Sequence, residues 1–132
     1  MSVYAAGPED VDDAVAAARK AFKNPAWRDM DTNARADLLY KFAQVIEEHR
    51  ETLATIETWD NGKPYSVSLN DDLSEVISVI KYYAGYANKI HGQVIDTSPL
   101  KLAYTTREPL GVCGQIIPYV LSLAFSTCKL TA

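Results

Sequence analysis

Arg107-Glu108-Pro109-Leu110-Gly111-Val112-Cys113-Gly114-Gln115-Ile116-Ile117-Pro118 is the stretch on which the reading of this chain turns. Leu110 to Ile117 is apolar almost without interruption. An alternating strand covers one face; a continuous apolar strand is the kind buried on both faces of a parallel sheet. Such a strand needs neighbouring strands, and the rest of the sequence supplies few. The chain therefore reads as part of a larger sheet.

Immediately upstream, the apolar period is close to two. Lys101 to Thr106 alternates through Leu102, Tyr104 and Thr106 and predicts a strand; Ser98-Pro99 is a turn, and Gln93 to Asp96 is a shorter strand before it. Before Gly92 the period is helical. Gly7-Pro8-Glu9-Asp10 opens a helix, with proline in the first turn and acidic residues at the positive end of the dipole. Val11, Ala14, Val15, Ala18 and Phe22 follow at helical spacing, and Asn24-Pro25 stops them. A second helix starts near Asp31-Thr32, with Leu38, Leu39, Phe42, Val45 and Ile46 as its apolar face. A further helical stretch carries Leu53 and Ile56 and is ended by Asp60-Asn61-Gly62-Lys63-Pro64, where glycine or asparagine takes the left-handed cap. A fourth helix is expected from about Val67 to Ile90, with Leu73, Val76, Ile77, Ile80, Ala84 and Ala87 on one face, closed by Gly92.

The 132 residues are 48% apolar, enough for one domain with a core. Thirteen basic against 17 acidic residues give a net charge of −4, and the basic residues are scattered, which argues against a nucleic-acid surface. The N-terminus shows no secretory signal, and no apolar stretch approaches the roughly 20 residues of a membrane helix. The longest, Val112 to Phe125, is broken by Gly114, Gln115, Pro118 and Ser122. Two cysteines without pairing logic point to a reducing, cytoplasmic setting, and their spacing matches no metal motif.

Single residues carry little chemistry by themselves. Cys113 falls in the expected buried strand and reads as an inert structural thiol, since burial raises a thiol pKa. Cys128 has Lys129 beside it, which would lower its pKa, but no catalytic partner is apparent. His49 and His91 are isolated and read as surface or capping residues. Glu47, Glu48, Glu51, Asp71 and Asp72 read as solvated helix faces. Tyr82, Tyr83 and Tyr86 read as packing residues, and Arg107-Glu108 as a strand-end ion pair of small weight.

Several blocks, in order, resemble the aldehyde dehydrogenase family. They are Glu9-Asp10-Val11-Asp12 through Ala21-Phe22, Trp27-Arg28 through Arg35-Ala36-Asp37-Leu38-Leu39, Asp60-Asn61-Gly62-Lys63-Pro64, and Arg107 through Pro118, with Lys81-Tyr82-Tyr83-Ala84-Gly85 and Lys89-Ile90-His91-Gly92 agreeing between them. The likeness spans residues 5–118. It implies the start of the family's cofactor-binding domain with part of its oligomerisation hairpin. The family oxidises aldehydes with NAD or NADP: a cysteine thiolate attacks, hydride passes to nicotinamide, and a glutamate activates water. An asparagine side chain and a backbone N–H hold the oxyanion. By resemblance, Ile116, Ile117, Pro118 and Tyr119 would line one wall of the cofactor site, as a vestige. The family continues Pro118 with Trp-Asn; this chain has Tyr119 and Val120. Valine offers no donor, and losing one oxyanion donor costs about 2.7–4 kcal/mol of transition-state stabilisation. The catalytic cysteine, the glutamate, the phosphate-binding lysine and the glycine-rich cofactor turn have no counterpart in these 132 residues. The tail, residues 119–132, departs from the family, as intron read-through would produce; Lys129-Leu130-Thr131 can be encoded by a string containing the branch-like CTAAC.

The expected fold is α+β: about four amphipathic helices, a hairpin and one buried strand in a single truncated domain of residues 1–132. The expected function is that of a truncated aldehyde dehydrogenase-like protein, inactive as an NAD(P)-dependent oxidoreductase, with no catalytic residue, no bound cofactor and no metal. It is expected to be a cytoplasmic homo-oligomer, most simply a dimer, without nucleic-acid or membrane partners. One alternative is a repurposed non-redox enzyme (isomerase, cyclase or hydrolase) with a pocket at a dimer interface. Another is a binding module for a full-length family member.

Overall fold

The structure, a computed structural model, describes residues 5–116. They divide into two compact units, one of residues 5–30 and 92–114, the other of residues 31–91 with 115 and 116.

The first unit begins with α1 (Pro8–Phe22), where the Asp10 carboxylate accepts from the Gly7 N–H at 2.7 Å and Pro8 occupies the first turn. The expected apolar stripe is there, but no residue of α1 is buried; Val15 and Ala18 are half-buried, Val11 and Phe22 exposed. After Asn24 the chain makes one short turn of helix, α2 (Pro25–Arg28), which the sequence reading did not foresee. Asn24 caps it by accepting from the Ala26 N–H at 3.0 Å. The same unit holds an antiparallel hairpin, β1 (Val94–Ser98) and β2 (Lys101–Tyr104). Val94 pairs with Tyr104 and Ile95 with Ala103, and the register is irregular between Ile95 and Ser98. Gly92 lies so close to Thr105 that a Cβ there would run into the Thr105 carbonyl. The contact is fastened by Thr105 N–H to the Gln93 carbonyl and Gln93 N–H to Thr105 Oγ1, each 2.9 Å.

The second unit contains the core. In α3 (Thr32–Glu48), Asp31 caps the N-terminus by accepting from Asn33 N–H at 2.9 Å and Ala34 N–H at 3.4 Å. His49 joins α3 to α4 (Arg50–Asn61), an exposed capping position as expected. Gly62 ends α4 in the left-handed conformation at φ 78°, the cap that glycine alone adopts without strain. A short turn, α5 (Tyr65–Val67), runs into a π-helical turn over Ser68–Asp72 and then into α6 (Leu73–Ala84).

Ala43 and Ile46 of α3, Ala54 of α4, and Leu73, Val76, Ile77 and Ile80 of α6 form the buried cluster, with Leu39, Leu53 and Leu69 packed on it. The expected face of α6 is correct from Leu73 to Ala84. Three expectations are corrected. The apolar face of α3 is rotated: Leu39, Ala43 and Ile46 turn inward, while Leu38, Phe42 and Val45 are exposed. Helix α6 stops at Ala84 instead of Ile90, because Tyr86 N–H and Ala87 N–H bond to carbonyls three residues back, and Lys89 Nζ donates to the Gly85 carbonyl. No strand forms over the described part of the run, residues 110–116; Leu110, Val112 and Ile116 are exposed. A strand of that composition forms only between neighbours, and neither β1 nor β2 pairs with it.

Candidate functional site

The run from Arg107 to Ile116 is the first place to look for chemistry. Gly111 has φ 105°, which turns the backbone away from an extended path. Cys113, expected to be buried, is exposed, and its Sγ lies 3.8 Å from the Gly111 carbonyl oxygen. No described strand flanks it, so Cys113 lacks the burial that the sequence led one to expect. Arg107 and Glu108 are exposed and form no ion pair with each other. Ile116, the described member of the proposed cofactor wall, is 88% exposed. Ile117, Pro118, Tyr119, Val120 and Cys128 lie outside the described residues.

A dinucleotide is ordinarily held by its phosphates at a glycine-rich turn leading into a helix N-terminus. Among the described residues neither Gly111 nor Gly114 leads into a helix. The N-termini of α1 and α3 are closed by the carboxylates of Asp10 and Asp31, which use the N–H groups and repel an anion. Among the described residues, no glycine-rich turn leading into a helix offers a phosphate cradle. They also hold no group of three or more His, Cys, Asp or Glu side chains that could bind a metal ion. No described helix is long and apolar enough to cross a membrane.

The second place is one that residue-by-residue sequence reading missed. Between the end of α4 and the π-helical turn lies a half-buried polar cluster. Lys63 Nζ and Asp72 Oδ2 are 2.5 Å apart, with side chains 18% and 12% exposed. Asp72, expected on a solvated face, is thus buried and paired. Ser68 is fully buried and accepts from Thr58 Oγ1 at 3.1 Å. Asn61 donates through Nδ2 to Glu57 Oε1 at 2.8 Å and accepts from the Lys63 N–H at 2.9 Å. The cause is local: the left-handed turn at Gly62 reverses the chain, and the π turn brings Asp72 round to meet Lys63. The only available signal was Lys63 directly after a helix stop and before Pro64, which says nothing about its partner.

Chemically this cluster is closed. A hydroxyl nucleophile needs a base beside it; Ser68 faces another hydroxyl, and the lysine and aspartate neutralise one another. The cluster fastens α4 to the turn before α6. Elsewhere, the Arg28 guanidinium is bonded to Asp29 at 2.7 and 3.0 Å, which raises the arginine and lowers the carboxyl from their ordinary values. That pair is open to water and carries little energy. Tyr82 stacks on Tyr86 at 5.8 Å and meets Tyr83 edge-on at 5.2 Å, so these rings pack on one another at the surface.

Comparison with known proteins agrees with the blocks quoted above. A model of the aldehyde dehydrogenase family matches residues 1–132. An aldehyde dehydrogenase of Emericella nidulans is 49% identical over 129 residues, covering 98% of this chain and 26% of that protein. The human mitochondrial aldehyde dehydrogenase is 49% identical over 123 residues, covering 92% of this chain and 24% of its own length. Among solved structures, the NAD+ complex of the Bacillus cereus aldehyde dehydrogenase superposes with a TM-score of 0.90 at 52% identity, over 93% of this chain and 25% of that one. The chain thus spans about a quarter of the length of these relatives.

Proposed function

Because the chain belongs to the aldehyde dehydrogenase family, we propose that its 132 residues supply the opening scaffold of that family's fold and carry no aldehyde oxidation by themselves. The observation that carries this reading is the setting of Cys113. A thiol becomes a nucleophile when a base, a cation or a helix N-terminus favours its thiolate. The contact of the Cys113 thiol is the Gly111 carbonyl oxygen at 3.8 Å, which is none of these. Oxidation of an aldehyde with NAD or NADP is the activity we propose for a complete family chain containing this segment, with Ile116, Ile117, Pro118 and Tyr119 as one wall of its cofactor site.

The exposed apolar residues support a second, compatible reading. Val94, Leu102 and Leu110 are 81%, 79% and 97% exposed, and the two-stranded sheet has both outer edges unpaired among the described residues. Water-exposed apolar area costs roughly 25 cal/mol per Å², and an open edge templates pairing. We propose that the isolated chain self-associates, most simply as a two-fold dimer through the hairpin.

The test is direct. The purified chain, given NAD or NADP and short aliphatic or aromatic aldehydes, is expected to form no NADH or NADPH absorbance above a heat-killed control. Steady formation would refute the reading.

A further inference from the structure

Asn61-Gly62 is the pair of residues in this chain best suited to spontaneous deamidation. The backbone nitrogen after an asparagine can attack its side-chain carbonyl carbon, and a following glycine leaves that approach unobstructed. Asn24, Asn33, Asn70 and Asn88 are followed by proline, alanine, aspartate and lysine, so the other asparagines lack this opening. The fold places the reactive pair at the last turn of α4 and holds it with three hydrogen bonds. Gly62 N–H, the nucleophile, donates to the Thr58 carbonyl at 2.9 Å. The Asn61 amide, the electrophile, donates to Glu57 at 2.8 Å and accepts from Lys63 N–H at 2.9 Å. Both reacting groups are engaged elsewhere, and a helical backbone directs the Gly62 nitrogen along the helix axis instead of toward the Asn61 side chain.

We propose that Asn61-Gly62 is a latent modification site whose reaction is gated by opening of the last turn of α4. When the turn opens, the Gly62 nitrogen gives its proton to solvent base and bonds to Asn61 Cγ. The Cγ–Nδ2 bond breaks and ammonia leaves. Water then opens the cyclic imide at either carbonyl, leaving aspartate or isoaspartate at position 61; no oxidant or other reactant is involved. The product cannot close the turn as before. The Nδ2 donor is gone, and a carboxylate faces Glu57 one turn away, where like charges repel. Lys63, which holds Asp72, is two residues further on, so the polar cluster loosens with the turn.

The experiment follows modification at Asn61 by peptide mass spectrometry, with the 132-residue chain incubated in mildly alkaline buffer, folded or in concentrated urea. The folded chain is expected to react at least about tenfold more slowly, because only the opened turn reacts. Equal rates would overturn the proposal. Glu57→Ala, in a sample whose circular dichroism matches the parent, is expected to speed the folded-state reaction several-fold; a folded variant reacting no faster counts against it. A readout without substitution covers the case of a variant that does not fold. In urea below the unfolding transition, the reaction rate and hydrogen exchange of the Gly62 amide should rise together, and a flat reaction rate beside rising exchange would overturn the gating.

Discussion

Residues 31–91 and the run 107–116 have similar apolar content in the sequence and opposite fates in the structure. The helices bury Leu73, Val76 and Ile80 to 1% exposure or less, while Leu110 stands 97% exposed and Ile116 88%. The difference lies in where each kind of element finds its partner. An amphipathic helix satisfies its own backbone and needs one apolar neighbour, which α3 and α6 provide for each other within a short span of chain. A strand covered on both faces needs edges and layers contributed from elsewhere. The helical part of residues 31–91 therefore builds its own core, and the run 107–116 does not.

Substitutions can break this comparison. Leu73→Ala or Ile80→Ala should cost about 2–5 kcal/mol in urea unfolding followed by helical circular dichroism. Leu110→Ala should stay within about 0.5 kcal/mol. A large effect at Leu110 would mean that the run is packed in solution. A smaller loss is expected at the polar cluster. Lys63→Met leaves the Asp72 carboxylate unpaired in a site 12% open to water, costing about 1–3 kcal/mol. Adding Asp72→Leu should return part of that loss; a double variant no better than the single one would show that the pair does not couple. The smallest effect on global stability is expected at the hairpin. Gly92→Ala forces a Cβ against the Thr105 carbonyl, so protection of the Gln93 and Thr105 amides should be lost in hydrogen exchange while that of Val76 to Ile80 is kept. Unchanged protection at Thr105 would show that the close approach relaxes without cost.

Much of the helical part could be read from the sequence, because its devices are local. Pro8 with Asp10, Asp31, and Gly62 before Lys63-Pro64 mark helix ends through contacts a few residues long. The hairpin was legible from the turn at Ser98-Pro99 and the alternation after it. Legibility failed where the outcome depended on a distant partner. In α3 the larger residues Leu38, Phe42 and Val45 outweighed Ala43 on the page, yet Ala43 is fully buried because a small side chain lets a neighbouring helix approach. Asp72 looked like any solvated carboxylate, since its partner Lys63 reaches it only after a left-handed turn and a π turn, neither of which has a periodicity. Burial of Cys113 and Leu110 would need flanking strands, and no described strand pairs with their run. The cofactor wall rested on resemblance alone, and three of its four residues lie outside the described structure.

The central claim is that these residues form a scaffold and not a working cofactor site. Titrating the purified 132-residue chain with NAD in a calorimeter tests it most directly. The account predicts no saturable heat up to about millimolar NAD, because the phosphate-holding helix N-terminus that supplies most dinucleotide affinity is missing from the described fold. Saturable binding in the micromolar range would contradict it.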